Sequence, residues 1–413
     1  QRYIYSMVIE SKVQRAINKL YNNTTNENSN FFEAYLLLSL DNIKKGNFKK
    51  SNKYLLKAEK LINDDGFNKV IVESIKQYLH VFQKKNISKE KTNFGKLTYI
   101  NETLLRCYLR DAKSEVYFSG LINNEDDYSR YLYFYLSYLI ENDKPEKAKK
   151  ITDKLNFLNS TLLISQGKKW IDENKLNEFS KIFSCKNYSD ITAEFLFIIA
   201  NLYSSQNNFE KSNFYLNISN FLNPKFRFNY TLLSENYFLK KDYKNAKKIL
   251  NKFEKKDQIY YWYSVKKETQ IISKESGNLE GLKFIKNKIN QLENKNAKII
   301  FDMANFYKNS KKYKEAINYY NKIIIELDKD SDLYADILYR RGGSYERLGN
   351  YLKADEDLLK SLEIKPDDAY ILNYLAYSWL ERNYKIDEAM VMLEKAYDLK
   401  KEDPYIIDSI GWA

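Results

Sequence analysis

Histidine is almost absent from this 413-residue chain: His80 stands alone. One imidazole cannot build a Ser-His-Asp triad beside a second histidine role, a His-based metal site or a two-histidine phosphoryl relay. Cysteine is limited to Cys107 and Cys185, with no CxxC spacing, and two thiols alone do not complete a structural zinc site. The pair is expected to be two buried free thiols acting as small hydrophobes, with a disulfide between them as the alternative. The redox compartment is therefore not legible from them. Only 4 Pro and 11 Gly occur, which excludes collagen-like, linker-dominated and turn-rich all-β chains. No run of eighteen apolar residues is present, so no transmembrane helix is expected. No GxGxxG or GK[ST] motif occurs, so Gly342-Gly343 is not a phosphate loop. What is present is 44% hydrophobic residues, enough for a packed core, and the chain reads as a long, helix-dominated fold.

Internal periodicity organises the sequence. The clearest unit runs from Leu338 through Gly342, Tyr345, Gly349-Asn350, Tyr351, Ala354, Leu358 and Leu362 to Pro366. A small residue, an aromatic one turn later, a turn, another aromatic and a second small residue follow in fixed order. The skeleton recurs at Ala304, Tyr307, Tyr313, Ala316, Tyr320; at Ala200, Tyr203, Phe209, Ser212, Leu216, Pro224; and at Ser234, Tyr237, Tyr243, Ala246, Leu250. The two small residues are always twelve apart, and both Ala200 to Ser234 and Gly342 to Ala376 span thirty-four residues. Apolar residues at i, i+3, i+4 and i+7 give each segment one buried helical face. Weaker units keep the template at Tyr35 to Ala58, Leu132 to Leu155 and Leu163 to Phe183. Between about 62 and 128 the pattern degenerates: 70–82 and 97–109 read as amphipathic helices without a small-residue pair. Longer helices are expected at 257–275 and 278–292, with Gly281 in the second small position.

These units resemble the tetratricopeptide repeat family, best over 189–404. The resemblance implies an all-α, right-handed superhelical solenoid of antiparallel helix pairs, divided as degenerate repeats at 1–128, divergent repeats at 129–188 and a regular array at 189–413. It also implies that first helices line a concave face, here carrying Phe197, Asn201, Ser204, Phe228, Glu235, Phe301, Asn305, Lys308, Tyr339, Asn373 and Tyr377. That mixture of aromatics and amides suits an extended peptide or a partner helix. Asn201 and Asn305 are preceded one turn earlier by Phe197 and Phe301 rather than Lys, so the terminal-carboxylate clamp of one subclass is not implied. The segment at 372–389 is similar to bacterial members, including envelope lipoproteins, which implies a lean toward the periplasmic side of an envelope.

Charge is unevenly spread. The chain carries 68 Lys+Arg against 55 Asp+Glu, a net +13. Residues 323–413 hold 12 basic and 20 acidic side chains, whereas 1–322 hold 56 and 35. The excess is mostly Lys, a poorer phosphate reader than Arg, and is expected to be a solvated surface rather than a nucleic-acid face. Tyrosine runs such as 131–138 are expected in the core, and Asp355-Glu356-Asp357 on a solvated helix face. No residue set supports a catalytic, cofactor or metal site, so the expected function is a non-enzymatic protein-binding scaffold. The alternatives are the recognition arm of a larger enzyme such as a glycosyltransferase, and a basic nucleic-acid-binding repeat. The sequence opens at Gln1 and stops at Ala413 within helical patterns, so both ends read as cut.

Overall fold

A computed structural model describes residues 1–22, 30–62, 66–88, 92–122, 129–155, 160–292 and 295–413, and all regular structure among them is α-helical. The chain divides into two compact units, one of residues 1–155 and 160–268 and one of residues 269–413. In the first lie α1 (Arg2–Ile9), α2 (Val13–Asn22), α3 (Phe32–Lys44), α4 (Phe48–Glu59), α5 (Gly66–Lys84), α6 (Lys96–Leu109), α7 (Ser114–Ile122), α8 (Ser129–Glu141), α9 (Pro145–Asp153), α10 (Leu162–Asp172), α11 (Glu178–Ile182), α12 (Tyr188–Ser205), α13 (Phe209–Leu222), α14 (Asn229–Leu239) and α15 (Tyr243–Leu250). The division falls inside α16 (Gln258–Ser276). The second unit continues with α17 (Asn278–Asn290), α18 (Ala297–Asn309), α19 (Tyr313–Ile324), α20 (Asp332–Glu346), α21 (Tyr351–Ile364), α22 (Ala369–Glu381), α23 (Ile386–Leu399) and α24 (Pro404–Trp412). This partition follows packing, a different property from the regularity of the repeat.

Four of the hairpins show local reasons for the turn. The first helix ends on a left-handed residue, Gly46 (φ 72°), Asn207 (φ 59°), Lys241 (φ 59°) or Gly349 (φ 73°). The next residue, Asn47, Asn208, Asp242 or Asn350, then caps the second helix by accepting a backbone N–H three residues on. The small residues twelve apart are the points of contact. Ala304 and Ala316 are both fully buried, as are Ala200 and Ser212. Ser39 and Ser51 touch closely enough for their hydroxyls to hydrogen-bond at 2.8 Å. A Cβ placed on Gly342 would lie 3.2 Å from the Ala354 carbonyl oxygen and 3.0 Å from Leu358 Cγ. Gly281 repeats the contact in the longer pair: a Cβ there would sit 3.1 Å from the Thr269 carbonyl.

Two features differ from expectation. Cys107 and Cys185 are not free thiols: they form a disulfide with Cα atoms 5.8 Å apart, joining α6 to the turn that leads into α12. Cys185 lies in that turn rather than in a helix. A sequence separation of 78 residues conceals the proximity. Nor does the first unit bury its faces only against sequence neighbours. Helices α1 to α3 pack on α13, while α3, α5 and α6 pack on α12. Tyr5 stacks on Phe214 with centroids 4.6 Å apart, Phe67 meets Tyr203 edge-on at 4.9 Å, and the Lys44 amine donates to the Phe221 carbonyl. Ser11 Oγ donates to Asn217 Oδ1 at 2.8 Å, and Asn217 Nδ2 donates to the Ile9 carbonyl at 3.1 Å. Helices α12 and α13 are both buried on nearly every face, including all of 191–197 and 212–219: α12 because a helix apolar all round has to be enclosed, and α13 with polar side chains such as Asn213 and Asn217 satisfied by hydrogen bonds.

Gly342→Ala is expected to destabilise by about 1–3 kcal/mol, because the methyl meets a backbone carbonyl. At an uncrowded helical site the same change stabilises by up to ~1 kcal/mol, so urea titration reads the sign directly. Reducing the Cys107–Cys185 bond is expected to cost roughly 2–4 kcal/mol, measured as the difference between melts with and without dithiothreitol and checked against Cys107→Ser.

Candidate functional site

In the first unit the expected face is largely occupied by the protein itself. Phe197 on α12 is buried, and Phe228, just ahead of α14, is half-buried. Both lie against the guanidinium of Arg130 on α8, whose carbon is 3.6 Å from the Phe197 ring centre and 5.0 Å from that of Phe228. The Phe226 ring, at 5.0 Å, and the Phe134 ring, at 5.5 Å, complete the enclosure. The same guanidinium forks onto Glu194, with Nε donating to Oε1 at 2.7 Å, and reaches Asn229 Oδ1 at 3.2 Å. Burial raises the Glu194 carboxyl, and Arg130 opposes that shift. Ser204 Oγ donates to Asn236 Oδ1 at 2.6 Å, and Glu235 pairs with Lys267 at 2.5 Å. Asn201 alone of this group is exposed. Arg130 was missed in the sequence; its signal is a single cation opening the aromatic run 130–138. Beside Phe228 a cleft of about 520 Å³ is lined by Trp170, Lys225, Asp257 and Tyr260 among others, and burial raises the Asp257 carboxyl.

The second unit keeps its face more open. Phe301, Asn305 and Lys308 follow one another on α18, Tyr339 sits on α20, and Asn373 and Tyr377 on α22. Phe301 is buried, with the Arg340 guanidinium 5.2 Å above its ring. Asn305 Oδ1 accepts the Tyr320 hydroxyl at 2.8 Å and Arg340 Nη1 at 3.5 Å. Lys308 Nζ stands 6.0 Å from the Tyr339 ring, and Tyr339 meets Tyr374 edge-on at 5.7 Å. Asn373 carries a buried Oδ1 that no donor reaches, while Tyr377 packs on Trp412 with centroids 5.1 Å apart. The structure thus brings Phe301, Asn305, Lys308 and Tyr339 together around Arg340, and places Tyr377 elsewhere. Arg340 is the residue that the sequence reading passed over, two positions ahead of the small residue Gly342.

Among the described residues no group of three or more His, Cys, Asp or Glu is placed to hold a metal ion, and no helix is long and apolar enough to cross a membrane. The notable electrostatic feature is Lys308. Burial, with Arg340 and Arg347 nearby, pushes its amine down to about 8. A folded-state pKa below the unfolded value of about 10.4 means that the folded protein is penalised for holding the proton below pH 8, and gains stability as pH rises through the interval. Lys308→Met is therefore expected to stabilise the protein by roughly 1–2 kcal/mol at pH 7, allowing for the solvent that still reaches the amine. The gain should fade by about pH 10, as read from paired urea titrations at the two pH values.

The tetratricopeptide repeat family matches residues 297–328 and 335–368. A TPR repeat-containing protein of Pseudomonas aeruginosa is 34% identical over 77 residues, 19% of this chain and 13% of that protein. The chain therefore matches only about an eighth of that relative's length. Among solved structures, the Cut9–Hcn1 hetero-tetramer of the APC/C aligns over 99% of this chain and 82% of its own at 13% identity, with a TM-score of 0.40. MamA aligns over 41% and 95% at 19% identity, with a TM-score of 0.32. Both scores are low, and the assignment stands on the repeats at 297–368 and on the helix pairs described above. By those matches, residues 297–328 and 335–368 of this chain are tetratricopeptide repeats.

Proposed function

We propose that the chain is a non-enzymatic adaptor that holds a peptide or partner helix along its first-helix faces. Protein–protein interaction is the general role of the repeat. The observation that carries the finer reading is the strip formed by Phe301, Asn305, Lys308 and Tyr339, in which the Asn305 amide, the Lys308 amine and the Tyr339 ring, from consecutive first helices, stay half-exposed above the buried Phe301. Aromatic anchors provide contact area at low conformational cost, and amides fix register by hydrogen bonding to a backbone. The face of the first unit supports the reading less, since Phe197 and Phe228 already grip Arg130. The Cys107–Cys185 bond favours an oxidising compartment, in keeping with the periplasmic side of a bacterial envelope.

Selection of a displayed random-peptide library on the immobilised full chain tests this. Peptides are expected to enrich, and to lose about tenfold or more in affinity on Tyr339→Ala or Asn305→Ala. They should be unaffected by Leu352→Ala, whose side chain is 87% exposed on a second helix. Absence of enrichment, or peptides indifferent to both strip substitutions, would sink the reading.

A further inference from the structure

Carboxylates are abundant in the C-terminal stretch, and most of its buried cations have one. Arg341 pairs with Asp357 at 2.7 Å, Arg382 with Asp355 at 2.7 Å, and Lys365 with Asp336 at 3.1 Å. The exposed Arg347 also takes Glu346 at 3.4 Å, which accepts the Tyr374 hydroxyl as well. Arg340 and Lys308 are different. Both are half-buried on the first-helix face, Arg340 next to Arg341 in sequence, yet among the described residues no carboxylate comes within ion-pairing distance of either. Their polar surroundings are Asn305, whose Oδ1 accepts from Arg340 and whose Nδ2 donates to nothing described, and the tyrosine rings. Two like charges drawn out of water without a counter-ion oppose folding, and twenty acidic side chains in 323–413 leave no shortage of candidates to neutralise them. The fold leaves that place open.

We propose that Lys308 and Arg340, with the Asn305 amide, form a binding site for a phosphomonoester carried by an extended segment of the protein partner. The proposal rests on the adaptor reading and names the chemistry of what the adaptor takes. Two unpaired cations match the charge of a phosphate near −2 better than that of a single carboxylate. The guanidinium fork and the ammonium supply donors of the two kinds that share phosphate oxygens well. Phe301 is buried beneath Arg340, and the half-exposed Tyr339 ring beside the pair would cover the carbon stem of a phosphorylated side chain. The two cations come from successive first helices, α18 and α20, so the ligand bridges two repeats.

The test uses the full chain with its lysines carrying ¹³C-methyl labels, the Lys308 signal being assigned by its loss in Lys308→Arg. Titration with inorganic phosphate is expected to move that signal and to raise its midpoint from about 8 by about one unit, a tenfold coupling between anion and proton. Acetate at equal concentration should do far less. Arg340→Met should abolish the response and Arg340→Lys keep part of it, with thermal melts confirming that both variants fold. In the second arm, a capped Ala-Phe-pSer-Phe-Ala peptide is expected to bind about tenfold more tightly than its Ser and Glu counterparts by fluorescence anisotropy. An unmoved Lys308 signal overturns the site, and equal effects of phosphate and acetate overturn the choice of a dianion. Phosphate binding without preference for the phosphopeptide overturns the assignment to a protein partner. None of these results touches the library selection on Tyr339 and Asn305, so the adaptor reading stands or falls separately.

Discussion

Close approach of two helices at a pair of small side chains is the constraint on which the rest of this structure depends. Where Ala304 meets Ala316, or Gly342 meets the carbonyl of Ala354, one methyl group decides whether the helices can sit at the short end of the ~8–10 Å packing range. That contact fixes the rotation of each first helix about its own axis. Once the small residue points at the second helix, the residues three before, one after and four after it are committed to another face. Phe301, Asn305 and Lys308 stand in that relation to Ala304, and Tyr339 stands in it to Gly342. The chemistry of the face is thus placed by residues that have no part in it.

The first unit shows what happens when a hairpin becomes too apolar to serve as one layer among equals. α12 and α13 present buried side chains on almost every side, so the N-terminal helices close over them instead of extending away. Such packing brings distant parts of the chain together and needs fastening at points that local repeat contacts do not supply. The Cys107–Cys185 bond is one such point, and the Arg130–Glu194 pair is another. A buried ion pair is weak evidence for net stability, but removing one partner strands a charge, which is commonly costly. Its aromatic enclosure uses up two of the rings that the repeat pattern assigns to partner binding.

Much of the fold was legible because the signals were local. The twelve-residue spacing located the hairpins, the Gly349-Asn350 turn located a bend, and Gly281 marked a contact between longer helices. What escaped was non-local. No pattern in the sequence ties Cys107 to Cys185 across 78 residues, or Arg130 to Glu194 across 64. One warning was present and went unread: the unbroken run Phe195-Leu196-Phe197-Ile198-Ile199-Ala200 leaves the middle of α12 no solvent face. Arg340 escaped for a different reason. Its neighbour Arg341 has the same side chain and pairs conventionally with Asp357, so residue type alone does not separate them.

Register therefore states which residues share a face, and not whether that face is free. Asn201 and Ser204 hold the same positions relative to Ala200 that Asn305 and Lys308 hold relative to Ala304. Yet Ser204 is tied to Asn236 and its neighbour Phe197 to Arg130, while among the described residues no anion pairs with Lys308. The difference lies in what the rest of each unit sends to the face. Helix α8 delivers a cation to the first, and among the described residues no carboxylate reaches the second. A desolvated lysine beside an unpaired arginine lowers the stability of the fold that carries them, and an acid-rich neighbourhood could have cancelled the charge with a single substitution. A cost of that kind is sustained where the uncompensated charge serves something outside the chain.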